Sequence, residues 1–256
     1  MIPYFDISIF KLGPLTIHIW GVFVSIGVAV ALLVAWYRAK KIGLDSNRVL
    51  DIAFWILIAA FLGARLFHVF FYEWHYYSMH LWEIFRIDQG GLSSFGGFIG
   101  AATGFLIYGT WRRIELLNYA DVLMFVWPLG HGIGRIGCFL THMHPGRLSN
   151  VLWAVQYPQG ARLDMGIIES AILLSYWIIL YLFTRGRQMF AGFYVISGML
   201  FYGIMRFTLD FFRATDLSMS DTRYFGLTPA QYGSVALIIG GIAFWQRFRK
   251  RKTVLY

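Results

Sequence analysis

Long apolar runs alternate with short polar connections along the whole chain. A bilayer core requires about 20 predominantly apolar residues per helical span. By that rule the pattern predicts seven transmembrane helices, over 15–37, 50–72, 93–111, 119–140, 165–184, 189–212 and 230–247. The expected fold class is therefore all-α, a polytopic integral membrane protein. No linker, charge block or internal repeat divides the sequence, so residues 1–256 read as one membrane-embedded domain. Gly96, Gly100 and Gly104 recur every four residues and predict a smooth helix face for close packing.

Composition agrees. The chain is 58% hydrophobic and only 14% charged, against about 25% charged in a typical soluble domain. Its start, "MIPYFDISIFKLGP", lacks a basic region followed by an apolar stretch and a cleavage site, so a removed signal peptide is not expected. Cys138 is the single cysteine, which excludes an internal disulfide, and no zinc spacing is present.

The net charge of +9 has a local explanation. Arg38, Lys40, Lys41, Arg48, Arg112, Arg113, Arg185, Arg187, Arg247, Arg249, Lys250, Arg251 and Lys252 fall in alternate connections and the tail. They make up more than half of the 22 Lys and Arg residues. Cytoplasmic loops carry such an excess, so the N-terminus is expected outside and the C-terminus in the cytoplasm. Charge that sets orientation leaves no basic patch for nucleic acid. The outer connections, 73–92 and 141–164, are long and rich in aromatic residues suited to the headgroup level.

Charges within the spans are costly near the bilayer centre and mark function. Arg65, Arg135 and Arg206 lie on three different spans that enter from the cytoplasmic side. At 1.5 Å per residue each is roughly 20–27 Å along its span, in the outer half of the membrane. Asp210 follows Arg206 at the i, i+4 spacing of an ion pair, with Arg213 just beyond. His68 shares the face of Arg65. His18 and Trp20 close the first span, and Glu169 opens the fifth. One intramembrane arginine can snorkel to the interface, as Arg213 could, and Arg206 could be fully occupied by Asp210. Three arginines at one depth, with few acids, instead suit a lipid phosphate, which guanidinium groups hold with paired hydrogen bonds. The glycines flanking Arg135 would let the backbone approach that headgroup.

At these residues the sequence resembles the prolipoprotein diacylglyceryl transferase family, nearly end to end. "LGPLTIHIWG" looks like the family's first-span opening, "LGARLFHVFFY" like its second-span arginine motif, and "GGLSSFGGFIG" like its third-span opening. "GHGIGRIGCFL" is similar to the family signature, with its arginine on Arg135. "YGIMRFTLDFFR" resembles the sixth-span motif, with its arginine and acid on Arg206 and Asp210, and "GLTPAQ" precedes the last span as in the family.

The resemblance implies a transferase at the outer face of the bacterial cytoplasmic (inner) membrane. It would move the diacylglyceryl group of phosphatidylglycerol to the lipobox cysteine thiol of a preprolipoprotein signal peptide, releasing glycerol phosphate. Arg135 and Arg206 would be catalytic, and Arg135, Arg206, Arg65, Asp210 and His68 would bind the phospholipid headgroup. No metal or other cofactor is expected. The nucleophile belongs to the peptide, so the enzyme need supply only a proton acceptor, ordinarily a histidine, and Cys138 is expected to be a packing residue.

The chain departs from the family where that acceptor is expected. Phe95 stands where a histidine is usual, Trp20 where an aromatic hydroxyl is usual, Cys138 where an asparagine is usual, and Met143 near an expected acid. "THMHPGRLSN" replaces the usual continuation, making His142 or His144 the candidate base, with His131 and His68 behind them. Two other readings stand beside this one. A divergent relative could move a lipid fragment to another acceptor. A non-catalytic lipid-binding or transport protein is the third, though transporters often show paired repeats and broken helices, and only Pro128 interrupts a span here.

Overall fold

The computed structural model describes residues 1–13, 15–86, 90–217 and 220–248, without the side chains of residues 15, 94 and 95. The expected orientation charges Arg249, Lys250, Arg251 and Lys252, and the side chain at Phe95, lie outside the described residues. The elements in chain order are β1 (Ile2–Pro3), β2 (Ile9–Leu12), β3 (Leu15–His18), α1 (Ile19–Lys41), α2 (Ser46–Phe71), α3 (Trp74–Met79) and α4 (Ser94–Trp111). There follow α5 (Leu116–Leu140), β4 (Pro145–Leu148), β5 (Val155–Tyr157), β6 (Gly160–Asp164), α6 (Met165–Thr184), α7 (Phe193–Leu209) and α8 (Pro229–Phe248).

Five helical segments among the described residues are long and apolar enough to cross a membrane: Ile19–Lys41, Ser46–Phe71, Leu116–Leu140, Met165–Thr184 and Phe193–Phe212. The other two expected spans coincide with α4 and α8. The chain is mostly helical rather than all-α, because six short strands among the described residues occupy the N-terminus and the 141–164 connection. The first span begins at Ile19, not residue 15. Leu15–His18 alternate apolar and polar side chains, the period of a strand, and pair with β2 as a hairpin.

Backbone contacts group the chain into two compact units, residues 39–119 and residues 1–38 with 120–256. In the first, Asp45 caps α2 by accepting from Asn47 N at 3.0 Å, satisfying a donor that a helix start leaves free. The glycine face of α4 packs on α2 as its spacing predicts. A Cβ at Gly96 or Gly100 would collide with the α2 backbone at Gly63 and Ala59, and one at Gly104 would meet Ala59. Small residues of this kind bring two helix backbones close in lipid.

The second unit joins α1, as far as Arg38, and α5–α8 to a four-stranded sheet of order β1-β5-β6-β4. β1 runs parallel to β5; β5–β6 and β6–β4 are antiparallel. Helix α5 carries Pro128 in its interior, which deprives one carbonyl of its helical donor. Gly130 faces Gly27 of α1, Gly137 faces Phe23 and Trp20, and Gly132 faces Leu173 and Leu174 of α6. The glycines around Arg135 therefore admit neighbouring helices, and the expected approach of a headgroup to their backbone is replaced by helix packing. Strand β6 runs straight into α6, capped by Asp164 Oδ1, which accepts from Gly166 N at 2.8 Å and Ile167 N at 3.3 Å. Asp121 of α5 accepts from Gly192 N and Val195 N and fixes the start of α7.

Candidate active site

Three helices of the second unit each bring one charged side chain to a common point. Arg135 comes from α5, Glu169 from the first turns of α6 and Arg206 from the last turn of α7. Arg135 Nη2 lies 2.5 Å from Glu169 Oε2, and Arg206 Nη1 lies 2.9 Å from Glu169 Oε1. The second fork of Arg206 reaches Asp210 Oδ1 at 3.0 Å, one helical turn on. Glu169 and Asp210 are fully buried, while the side chains of Arg135 and Arg206 each keep 13% exposure. Buried carboxylates lose much hydration and are retained where opposite charges and hydrogen bonds replace it.

The array is extended and braced. Thr228 Oγ1, at the entry to α8, donates to Asp210 Oδ2. Gln231 ties α8 back to α7 by donating from Nε2 to Phe207 O at 3.2 Å. Arg213 Nε lies 2.9 Å from the half-exposed Asp221 Oδ2 and 3.9 Å from Asp210 Oδ1. Its segment is fastened to the sheet, since Ala214 N donates to Pro145 O at 3.3 Å and Arg162 of β6 makes a paired bridge to Asp216. Arg135 Nη1 points to Cys138 Sγ at 3.7 Å, a weak contact, and Arg135 Nε is buried with no hydrogen-bond partner. Arg135 therefore retains donor capacity that Glu169 does not use.

The two candidate histidines part company. His144 is part-buried, with Arg135, Arg206 and Arg213 as its charged neighbours. Burial first, and those guanidinium groups second, lower its pKa to about 3, so its imidazole is neutral. His142 adopts a left-handed backbone with φ 46° and turns into an aromatic enclosure. Its ring stacks on Tyr4 at 4.9 Å and meets Phe5 at 4.6 Å. Its Nδ1 lies 2.8 Å from Asp164 Oδ2, to which Tyr157 also donates at 2.7 Å, and its Nε2 is buried without a partner. Burial and the Asp164 charge push the Tyr157 hydroxyl pKa up, keeping it a donor. This cluster pins the N-terminal segment to the sheet and the start of α6.

The remaining expected site residues have other occupations. Arg65, in the first unit, gives all its N–H groups to backbone carbonyls. Nε donates to Ile84 O, Nη1 to Gly90 O and Gly91 O, and Nη2 to Glu83 O and Arg86 O, at 2.5–3.1 Å. A guanidinium has five donors, so none is left for a phosphate, and Arg65 holds the carbonyls of Glu83, Ile84, Arg86, Gly90 and Gly91. His68 packs on Tyr72 and lies 3.6 Å from Glu73 Oε2. His131 lies between Trp127 and Tyr202. Glu169 carried a visible signal, an acid within an apolar segment, but its two partners depend on how three helices meet. Thr228 and Gln231 lie in the "GLTPAQ" segment, but nothing in its spacing ties them to Asp210 and Phe207.

The chain was compared with known proteins. A family model described as prolipoprotein diacylglyceryl transferase matches residues 7–247. The phosphatidylglycerol–prolipoprotein diacylglyceryl transferase of Pseudomonas entomophila (strain L48) is 32% identical, over 99% of this chain and 98% of that protein. The protein of the same name from Finegoldia magna is 31% identical, over 94% of this chain and 95% of that one. Matched along almost its entire length, the chain belongs to the prolipoprotein diacylglyceryl transferase family.

Proposed function

We propose that Arg135 and Arg206, spaced by Glu169, form the phosphate clamp of a diacylglyceryl transferase. The chain transfers the diacylglyceryl group of phosphatidylglycerol to a prolipoprotein, the activity named in its relatives. The observation that carries the clamp is the shared carboxylate, which pairs with two guanidinium groups while Arg135 Nε has no hydrogen-bond partner.

In this reading the lipobox cysteine sulfur attacks the glyceryl carbon that bears the phosphate. A carbon–sulfur bond forms, the carbon–oxygen bond breaks, and its electron pair leaves on glycerol phosphate. The thiol proton passes to His144, which burial and the field of Arg135, Arg213 and Arg206 keep neutral. That field also favours thiolate over thiol. The phosphate's negative charge raises the pKa of His144 when the donor binds, so proton transfer becomes easier once the substrate is present. Charge developing on the leaving oxygen meets donors already oriented, the largest usual term in such catalysis. Asp210 and Arg213 support the array, and His142 holds the sheet in position.

The membrane arrangement completes the proposal: one domain of seven spans in a bacterial cytoplasmic membrane, the N-terminus outside and the C-terminus inside. α4 and α8 supply the last two spans, and the clamp then faces the outer leaflet. The test is mass spectrometry of a lipobox peptide incubated with the purified protein and phosphatidylglycerol vesicles. The expected result is a peptide heavier by one diacylglyceryl group, with one glycerol phosphate released per peptide. A different added mass, or none from folded protein, overturns the reading.

A further inference from the structure

We propose that the β2–β3 hairpin is an interfacial anchor whose apolar face rests in an anionic lipid surface. Its register pairs Ile9 with His18, Phe10 with Ile17, Lys11 with Thr16, and Leu12 with Leu15. Residues directly opposite share a face, and successive residues alternate faces. Phe10, Leu12 and Ile17 therefore lie on one side, and Lys11, Thr16 and His18 with Ile9 on the other. The division is amphipathic, yet every residue of β2 is exposed. Phe10 is 56% and Leu12 62% exposed. A two-stranded hairpin is marginal in water without a covered face.

Its position names the cover. β3 ends at His18 and the apolar helix α1 begins at Ile19, with no residue between them. The hairpin thus emerges at a membrane boundary, whichever way the span runs. Trp20, in the first turn of α1, is 43% exposed, the behaviour of an aromatic residue at the headgroup level. Lys11, on the opposite face from Phe10, carries a cation on a stem long enough to meet lipid phosphates. An apolar face, a cation on the polar face and direct continuity with a span fit a lipid surface with anionic headgroups.

The test uses the full chain in nanodiscs of mixed phosphatidylglycerol and phosphatidylcholine. Phe10→Cys, Leu12→Cys and Lys11→Cys are each labelled with an environment-sensitive fluorophore; the unsubstituted chain, whose Cys138 is buried, gives the background. Labels at residues 10 and 12 are expected to be quenched by nitroxide-bearing lipids and shielded from iodide several-fold more than the label at residue 11. Equal iodide quenching at all three positions overturns the anchor. Shielding that appears only with added lipobox peptide, or grows with the number of protein copies per disc, assigns the face to a peptide or a second copy and also overturns it. Shielding unchanged in discs of phosphatidylcholine alone overturns the assignment to an anionic surface.

Discussion

Glu169 gives one carboxylate oxygen to Arg135 and the other to Arg206, at 2.5 Å and 2.9 Å, with none of its surface exposed. The two guanidinium groups are thus held by a single anion before any substrate arrives. Without it they would repel one another in surroundings that screen charge poorly.

Glu169→Gln is expected to remove that restraint. Breaking a buried ion pair costs about 3–5 kcal/mol, so thermal unfolding in detergent should shift sharply down. Glu169→Asp keeps the charge and should recover most of the stability while lowering kcat, because the spacing changes. A Gln variant with normal stability and normal transfer would show that the bridge holds nothing in place.

Arg135→Lys and Arg206→Lys should each lose transfer by roughly a hundred- to a thousand-fold, the scale of one lost donor to a developing anion. An ammonium cannot serve the carboxylate and two phosphate oxygens as a planar fork does. Arg213→Lys, whose guanidinium pairs with the half-exposed Asp221, should lose less. The measurement is lipobox-peptide transfer by purified variants of confirmed fold. Near-normal rates for the first two would make those arginines structural.

His144→Ala should lower kcat by about a hundred-fold or more, the usual contribution of a general base, with partial recovery on adding free imidazole. The residue also carries a pH signature. Its folded pKa is lowered to about 3, whereas an unfolded histidine titrates near 6.5. The unfolded chain therefore binds the extra proton first, and stability falls as pH drops below about 6.5, by at most about 1.4 kcal/mol per unit. Thermal midpoints between pH 7 and pH 5 should fall less in His144→Ala than in the parent. Identical slopes would place His144 in water.

Arg65→Lys separates two roles. An ammonium replaces the five-donor fork that gathers the carbonyls of Glu83, Ile84, Arg86, Gly90 and Gly91, so stability should drop by about 2–3 kcal/mol, the scale of hydrogen bonds to a charged group. The KM for phosphatidylglycerol should stay within about three-fold, under 1 kcal/mol. A large rise in KM at full stability would return Arg65 to the headgroup.

Orientation is checked by cysteine labelling in intact cells. Asn150→Cys should react with a membrane-impermeant maleimide and Arg185→Cys should not, because basic connections face the cytoplasm. The reverse pattern would put the clamp in the wrong leaflet.

The arginines were legible because each interrupts an apolar run, where a charge needs a reason. Glu169 was legible as an acid at the start of a span, but its bond to two arginines on other helices is tertiary and leaves no spacing. The glycines beside Arg135 were misleading for the same reason: a Gly that admits a helix and one that admits a ligand read alike. Strand β3 vanished into the first span because Leu15 and Ile17 are as apolar as the helix that follows. His142 and His144 are two residues apart and chemically identical in sequence. Only the left-handed turn at His142 sends one ring to the aromatic enclosure and leaves the other among the arginines.

The unequal charges of the clamp bear on how turnover ends. Arg135, Arg206 and Arg213 outnumber the buried Glu169 and Asp210 by one, and the acid that balances the third, Asp221 beside Arg213, is half-exposed to solvent. Phosphatidylglycerol offers this surplus a phosphodiester with a single negative charge. The departing glycerol phosphate is a monoester that approaches two at neutral pH, its second pKa lying near 6. Surroundings arranged for the reaction's later stages therefore grip what remains after it more firmly than what entered. If the clamp works as proposed, product release is expected to limit turnover, and added glycerol phosphate is expected to compete with the lipid donor.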